Sequence, residues 1–308
     1  MASFKADLRL LLPLASATVI ACSTIGGAAA AITPHLSAKR AATKGATITR
    51  RPSRIVSLSA TTTEDLYAVG AGKQVVAVDA DSTYPTRAPR TKLSGFTPNV
   101  EAIAKYRPDL VVLSNDTNHV VAQLKKLHVR VLLAPPATNL AGVYAQIGQI
   151  GRTTGHAAKA NHLVAKMKRQ VRVIVRSVPR PTKPLSIYHE LTTNYYSATS
   201  HTFIGQMYKL LGLQNIADKA GGSSDYPQLS AEYVIASNPD LIVLADSICC
   251  GQNLATVAAR SGWSNIAAVR SGAVVPVDDS IASRWGPRVV VFLKKVASAV
   301  KRLQGQSR

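Results

Sequence analysis

Two cysteines stand side by side in the second half of the chain, at Cys249 and Cys250. A thiol pair of this kind can form a disulfide, remain reduced, or contact a metal or cofactor. Adjacent Cα atoms are about 3.8 Å apart, which is below the usual range for a disulfide. A bond between these two residues would therefore be strained and would stiffen its loop, and the sequence leaves the three alternatives open.

Histidines and known motifs add no catalytic chemistry. Of the seven histidines in the sequence, only His189, which precedes Glu190, has an acidic or cysteine neighbour. Adjacent residues on a strand point to opposite faces, so this pair is a poor chelate. The sequence also lacks a Gly-rich phosphate loop, Gly-x-Ser-x-Gly and His-Glu-x-x-His. We therefore predict no catalytic residues, no metal site and no resident cofactor.

The strongest internal signal is a repeated segment with one glutamate in each copy. Residues 99–113, NVEAIAKYRPDLVVL, match residues 230–244, SAEYVIASNPDLIVL. Glu101 and Glu232 lie 131 positions apart, as do the two Pro-Asp pairs. Each copy opens on an N-cap residue type, asparagine or serine, which places its glutamate in the first turn of a helix. Each copy thus predicts a helix that ends near its proline, followed by a strand buried on both faces.

Strands and helices alternate on both sides of this repeat. We predict strands at 54–58, 74–78, 110–113, 129–134, 185–189, 241–244 and 273–277, and helices at 61–69, 120–127, 203–211, 256–259, 263–267 and 288–303. Such alternation is typical of a parallel sheet with helices on both faces, and the repeat is too long for a solenoid. The predicted fold class is α/β, with two similar lobes that each contain a parallel sheet.

One long helix is predicted between the lobes. Apolar residues recur at helical spacing over residues 156–178, which as a helix would span about 35 Å. The predicted organisation is an N-terminal α/β lobe at 54–155, this interlobe helix, and a C-terminal α/β lobe at 179–308. A rigid connector limits how far the two lobes can hinge.

The start of the chain has the pattern of an exported protein. Lys5 and Arg9 precede an apolar stretch at residues 10–20, which is too short to span a membrane and suits a signal sequence. The stretch ends in Val-Ile-Ala before Cys22, which resembles a bacterial lipobox. That resemblance implies that Cys22 is lipidated and becomes the first residue of the mature protein.

We therefore predict a lipoprotein signal peptide at residues 1–22 and a flexible tether at 23–53. The mature protein would be exported and lipid-anchored at the outer face of the cell membrane. Two alternatives remain from the sequence: cleavage after the alanine run at 28–31, which would release the protein, or a signal anchor over residues 10–31.

The charge of the chain is concentrated in two segments. The formal net charge is +21, of which residues 1–52 supply +6 and residues 156–183 supply +8. The rest of both lobes is only mildly basic, and no nucleic-acid-binding motif is present. We therefore predict no nucleic-acid partner. The basic residues of the interlobe helix are expected on its solvated side, with anionic lipid or a cell-wall polymer as the alternative contact.

Several segments together resemble one known family. They are RIVSLS at 54–59, TEDL at 63–66 with GAG at 70–72, the two repeat copies, and GPR at 286–288. In this order they resemble the cobalamin and ferric-siderophore group of ABC-transporter substrate-binding proteins, over residues 54–303. The resemblance implies the class III periplasmic-binding-protein fold, with ligand bound between two lobes, and it agrees with a lipid anchor.

The resemblance also implies roles for particular residues. In the family, an acidic residue at this position of each lobe docks to arginines of the membrane permease, and Glu101 and Glu232 match. The alternative is that each glutamate only complements the dipole of its helix. Phe96 lies where the family often has an aromatic ligand contact.

Candidate ligand contacts lie in or directly beside the loops that follow the strands, where open parallel sheets bind their ligands. They are Ser59, Thr61, Tyr84, Phe96, Asn115, Tyr188, Tyr195, Cys249, Cys250, Arg284 and Trp285. The aromatic members would stack on a large planar or amphipathic ligand, and packing between the lobes is their alternative role. Arg284 would bind a carboxylate or phosphate, unless it is a surface or helix-end residue.

The sequence therefore predicts a monomeric, lipid-anchored substrate-binding protein of an ABC importer. Its ligand would be a corrinoid (cobalamin), a ferric siderophore or haem, handed to a permease whose ATPase is a separate protein. A corrinoid is favoured, because basic residues that would bind an anionic siderophore are not evident in the predicted cleft. A secreted α/β enzyme acting in the interlobe cleft is the alternative.

Overall fold

A computed structural model describes residues 51–180, 183–220 and 222–306 of the chain. The described residues form eight strands: β1 (Ile55–Leu58), β2 (Val75–Val78), β3 (Leu110–Leu113), β4 (Arg130–Leu133), β5 (Ser186–Glu190), β6 (Gln214–Asn215), β7 (Leu241–Leu244) and β8 (Val274–Pro276). They also form eleven α-helices: α1 (Ala60–Ala68), α2 (Val100–Ala104), α3 (Val120–Lys126), α4 (Leu140–Thr154), α5 (Ala157–Arg176), α6 (Phe203–Leu210), α7 (Ala231–Ser237), α8 (Leu254–Ala258), α9 (Ala267–Arg270), α10 (Asp279–Ser283) and α11 (Val289–Gln306).

The strands form two separate four-stranded sheets of the same topology. The order is β2-β1-β3-β4 in the first sheet and β6-β5-β7-β8 in the second, and every pairing is parallel. The predicted α/β class with two similar lobes is confirmed, because the repeated segments supply equivalent elements, α2–β3 and α7–β7.

Equivalent side chains stabilise the two copies of the repeat. Asn99 accepts a hydrogen bond from the backbone N–H three residues on, as an N-cap should. Ser230 does the same at the start of α7. The aspartates of the two Pro-Asp pairs join neighbouring strands: Asp109 accepts from the backbone of residues 53 and 54, before β1, and Asp240 accepts from Ser186 at the start of β5.

Three buried cores hold the helices on the sheets. One continuous core packs α4, α5 and α11 against one face of both sheets, and so joins the lobes. The outer faces have their own cores, with α2 and α3 on the first sheet and α7 and α8 on the second. All three cores are built from residues within the compact unit Thr49–Arg308, so this unit contains the buried cores that an independently folding domain needs.

The interlobe helix is present as α5, and a second long helix precedes it. The prediction missed α4, whose three glycines interrupt the apolar period. One of these glycines has a packing reason: a Cβ on Gly151 would lie 2.3 Å from the Cβ of Ala160 on α5. The two helices therefore approach closely and form a rigid pair.

The predicted signal peptide, Cys22 and all of the predicted tether up to residue 50 lie outside the described residues. Within the described ranges, no helix has the length and apolarity needed to cross a membrane.

Candidate functional site

The carboxyl ends of the two sheets meet at a seam between the lobes. Gly286, in the second lobe, packs on α1 of the first lobe, where an added Cβ would lie 3.5 Å from Asp65 and 3.7 Å from the Thr61 carbonyl oxygen. The loop after β2 also reaches this seam, since the Asp81 carbonyl oxygen accepts a hydrogen bond from Arg284. The loops after the strands therefore face each other across the lobes.

A buried carboxylate ties the seam together. Glu64, whose side chain is 2% exposed, accepts a two-pronged hydrogen bond from Arg288, with Nε 2.7 Å from Oε2 and Nη2 2.5 Å from Oε1. Arg284 also donates to Glu64, at 3.1 Å, and to the Thr83 hydroxyl. Both arginines come from the second lobe, so this network of three charges links the lobes directly.

This network corrects the prediction for Arg284. The side chain is largely buried, and its guanidinium is occupied by Glu64 and by the loop after β2. It therefore closes the seam and does not present a free cation to a ligand. Glu64 and Arg288 lie within the TEDL and GPR segments that carry the family resemblance, but neither was predicted as a site residue.

A second buried acid lies beside Glu64. Asp65 is fully buried, and burial together with the neighbouring Glu64 raises the pKa of its carboxyl well above the ordinary value. Asp79, at the end of β2, is also buried, and burial raises its pKa too. Three buried acids, Glu64, Asp65 and Asp79, therefore lie on the first-lobe side of the seam, and burial raises the pKa of the latter two.

The second lobe has its own buried ion pair at the carboxyl end of β5. Glu190 is fully buried and accepts two hydrogen bonds of 2.6 Å from Arg260. The Arg260 guanidinium lies 4.5 Å from the ring centroid of Trp263, which in turn stacks on Tyr195 with a centroid distance of 5.6 Å. The predicted cleft residue Tyr195 is therefore half-buried and fixed by stacking, while Arg260 and Trp263 were not predicted.

Asp246, directly after β7, is a second acid beside this pair. It is fully buried, and neither carboxylate oxygen has a hydrogen-bond partner among the described residues. Burial, and then the charge of Glu190, raise the pKa of Asp246 to about 7. Because Arg260 is already occupied by Glu190, a proton on Asp246 is the available compensation at neutral pH and below.

We expect the substitution Asp246→Asn to remove one component of the pH dependence of folding. The folded state holds the proton up to about pH 7, whereas the unfolded chain loses it near pH 4. The free energy of unfolding of the wild type should therefore fall as pH rises between these values, relative to the variant. The difference should amount to about 4 kcal/mol between pH 4 and pH 8, at about 1.4 kcal/mol per pKa unit, measured by urea unfolding. A variant with an unchanged pH dependence would contradict this assignment.

His189 is a structural residue. It is fully buried, its Nδ1 lies 2.6 Å from the hydroxyl oxygen of Tyr208, and burial lowers its pKa to about 3. The ring is therefore neutral at physiological pH. Within the described ranges, no group of three or more His, Cys, Asp or Glu side chains is placed to hold a metal ion.

The remaining predicted cleft residues divide into exposed and buried ones. Phe96 is 74% exposed, and Tyr84 is exposed with the Arg288 guanidinium 4.2 Å from its ring centroid. Tyr188 is fully buried against Trp263, and Thr61 is buried in α1, so these two predicted ligand contacts are not accessible. Ser59 and Trp285 are half-buried.

Asn115 supports the loop around Gly95 through hydrogen bonds. Its amide nitrogen donates to the Gly95 carbonyl oxygen at 3.1 Å, and its amide oxygen accepts from Thr117. Gly95 is itself packed closely, since an added Cβ would lie 2.5 Å from the Leu58 carbonyl oxygen. Asn115 therefore holds the loop that presents Phe96.

The cysteine pair lies at the tip of the loop after β7. Both thiols are free and exposed, and the two sulfur atoms are 2.6 Å apart. Asp279 anchors the loop, accepting from the backbone N–H groups of Ile248 and Cys249. The contact with the Cys250 sulfur raises the pKa of Cys249 to about 12, so this thiol stays protonated at neutral pH.

The two glutamates of the repeat are exposed in the first turns of α2 and α7. Hydrogen bonds from its own backbone and from Ser230 lower the pKa of Glu232, which keeps it charged. In the described residues, neither side chain takes part in an ion pair. Both charges are therefore available to a partner.

Two depressions in the surface differ in position. One of about 410 Å³ lies at the amino ends of the second-lobe strands, and Ser186 and Asp240 are among its lining residues. A smaller one, of about 190 Å³, lies at the seam and is lined by Glu64, Tyr84 and Arg288, among others. Ligands of open parallel sheets bind at the carboxyl ends of strands, so a ligand is expected at the seam.

Two parallel-sheet lobes, a rigid helical connection and facing loop edges define a two-lobed binding protein. The sequence model of the family described as "Periplasmic binding protein" matches residues 55–281. The chain belongs to this family.

Relatives and solved structures agree with this assignment. The chain is 31% identical over 269 residues to the "Uncharacterized ABC transporter substrate-binding lipoprotein YvrC" of Bacillus subtilis, covering 84% of this chain and 83% of that protein. It is 34% identical over 263 residues to a "Cobalamin-binding protein" of Halobacterium salinarum, covering 82% and 70%. The fold is similar to that of the periplasmic haem-binding protein RhuT of a Roseiflexus species, with a TM-score of 0.70 at 23% identity over 81% of this chain and 98% of that one.

Proposed function

We propose that this chain is the lipid-anchored substrate-binding protein of an ABC importer, and that it captures a corrinoid between its lobes. The family is one of binding proteins, and the comparisons give no support to an enzyme. We accordingly propose non-covalent capture with modest closure, followed by docking to a permease through Glu101 and Glu232. Export, cleavage before Cys22 and a monomeric state belong to the same proposal.

Three of the cations near the seam are paired, and this pairing carries the choice of a corrinoid. A fourth, Arg87, is exposed and lies over the Tyr67 ring. Arg284 and Arg288 are bound to Glu64, and Arg260 is bound to Glu190. A multiply anionic ligand such as a carboxylate-rich siderophore would need free cations, which these arginines do not offer. The exposed Phe96 ring instead suits a large ligand with apolar edges. A relative of 34% identity that is named a cobalamin-binding protein supports the same choice.

Titration with three ligands tests this proposal. The sequence has two tryptophans, and one of them, Trp285, follows the seam residue Arg284, so a light-absorbing ligand in the cleft should quench fluorescence. We expect cyanocobalamin to bind with a dissociation constant of about 1 μM or lower, and haem and a ferric hydroxamate siderophore to bind more weakly. Tighter binding of haem or the siderophore would overturn the choice of ligand, and binding of none would overturn the whole assignment.

A pair of variants tests whether the ligand binds on the Phe96 side of the first lobe. Phe96→Ala should weaken cyanocobalamin binding by about tenfold, as loss of a central aromatic contact does. Leu127→Ala is the matched control, because Leu127 is also exposed but precedes β4, at the opposite end of the sheet. Equal effects of the two substitutions would contradict the cleft position.

A further inference from the structure

Three packed helices of the molecule carry only positive charge. The helices α4, α5 and α11 together contain eleven Lys and Arg residues and no Asp or Glu. All eleven residues are exposed. Six of them lie on α5: Lys159, Lys166, Lys168, Arg169, Arg172 and Arg176. We call the exposed side of these three helices the basic layer.

The basic layer is one continuous surface. The same core packs all three helices against both sheets, and Lys301 of α11 reaches Ser177 at the end of α5. In the described part of the chain, none of the eleven cations forms an ion pair. Helix α5 has 20 residues, so the surface extends for about 30 Å. The like charges of these side chains repel one another, and a large anionic partner would reduce that repulsion.

The basic layer lies opposite the helices that carry the paired glutamates. Along β3, Val112 belongs to the core under α4 and α5, whereas Val111 belongs to the core under α2. Successive strand residues point to opposite faces, so α2 covers the other face of the first sheet. The same alternation occurs along β7, where Val243 belongs to the core under the basic layer and Ile242 to the core under α7. Helix α7 therefore covers the other face of the second sheet. A partner on the basic layer therefore leaves Glu101 and Glu232 uncovered.

We propose that the basic layer binds the surface of an anionic membrane. Two exposed aliphatic residues stand among its cations, Val173 on α5 at 67% exposure and Val291 on α11 at 51%. Basic residues with exposed apolar neighbours are typical of a surface that lies at lipid headgroups, and a soluble polyanion would gain nothing from the valines. This inference rests on the proposed lipid anchor. A tether of about 30 residues between the anchor and the lobes keeps the lobes within a few tens of ångströms of the bilayer.

Vesicle binding of the compact unit Thr49–Arg308 tests this inference without the anchor. We expect this unit to bind vesicles of equal parts phosphatidylglycerol and phosphatidylcholine, to bind pure phosphatidylcholine vesicles far more weakly, and to dissociate as salt is raised. Each basic residue near an anionic surface contributes roughly a fivefold factor in partition coefficient. The variant Lys166→Gln/Arg169→Gln/Arg172→Gln should therefore bind about 100-fold more weakly.

The matched control removes the same charge from the opposite face. Lys105→Gln/Lys125→Gln/Lys126→Gln changes three exposed residues at α2 and α3, and it should bind vesicles as the wild type does. Equal losses in both triple variants would overturn the proposal, as would equal binding to both vesicle types. Binding to soluble polyphosphate but not to vesicles would also overturn it in favour of a polymer. Each variant is also titrated with cyanocobalamin. If the variants bind it as the wild type does, a loss of vesicle binding concerns the basic layer and not the proposed ligand capture.

Discussion

The substitution Glu64→Ala is expected to destabilise the protein by about 3–5 kcal/mol. It removes the only acidic side chain that Arg284 and Arg288 contact in the described residues, and both guanidiniums are largely buried. An uncompensated buried charge costs this much because the solvation lost on folding is no longer replaced. Since both arginines come from the second lobe, the loss should also loosen the seam. Urea unfolding measures this loss of stability: the midpoint should fall, and the slope of the unfolding free energy against urea concentration should stay unchanged.

Two comparisons distinguish lost pairing from a general defect. Removing the whole network, as in Glu64→Leu/Arg284→Met/Arg288→Met, should recover most of the stability, because no buried charge then remains unpaired. Glu101→Ala, at an exposed site in a helix of the same lobe, should cost less than about 1 kcal/mol. If Glu64→Ala also cost less than 1 kcal/mol, the ion pairs would not hold the lobes together.

Loss of both repeat glutamates is expected to abolish transport and leave ligand capture intact. In Glu101→Ala/Glu232→Ala, the dissociation constant for the ligand should stay within about twofold of the wild type, since neither residue lies at the seam. Uptake by cells that carry the matching permease should fall by about 100-fold, because truncated charge pairs weaken docking steeply. Each single variant should show an intermediate loss, as expected for one contact per lobe.

The control for this variant changes two other exposed acids. Asp218→Asn/Asp225→Asn removes the same charge and keeps an oxygen acceptor for the hydrogen bonds of Ser200 and Thr199. Its uptake should match that of the wild type. Unchanged uptake in the glutamate variant would mean that the two residues serve only their helix dipoles.

The fold was largely predictable because the repeat fixes corresponding elements twice. The helix and strand of each copy follow from an N-cap residue, a proline and a continuous apolar run, all of which act locally. Helix α4 was missed because its glycines serve contact with α5, such as Gly151 against Ala160. A contact between distant residues leaves no periodic signal in the sequence.

The site was less predictable for the same reason. Phe96 and Tyr84 were predicted as ligand contacts in the loops after the strands, and both rings are exposed there. Arg284 was expected to bind a ligand, but its partner is Glu64, 220 positions away. Tyr188 was predicted as a ligand contact near the end of a strand over residues 185–189, yet β5 continues to Glu190 and the ring lies in the core. Long-range pairing of charges and the end of a strand both depend on tertiary packing.

Hydrogen exchange with and without saturating cyanocobalamin tests the central claim, capture between the lobes, most directly. We expect protection at residues 94–98 and 115–118 of the first lobe together with residues 246–252 of the second, which follow the carboxyl ends of their strands. The amino-end depression around Ser186 and Asp240 should be unaffected. Protection confined to one lobe, or centred on that depression, would contradict capture between the lobes.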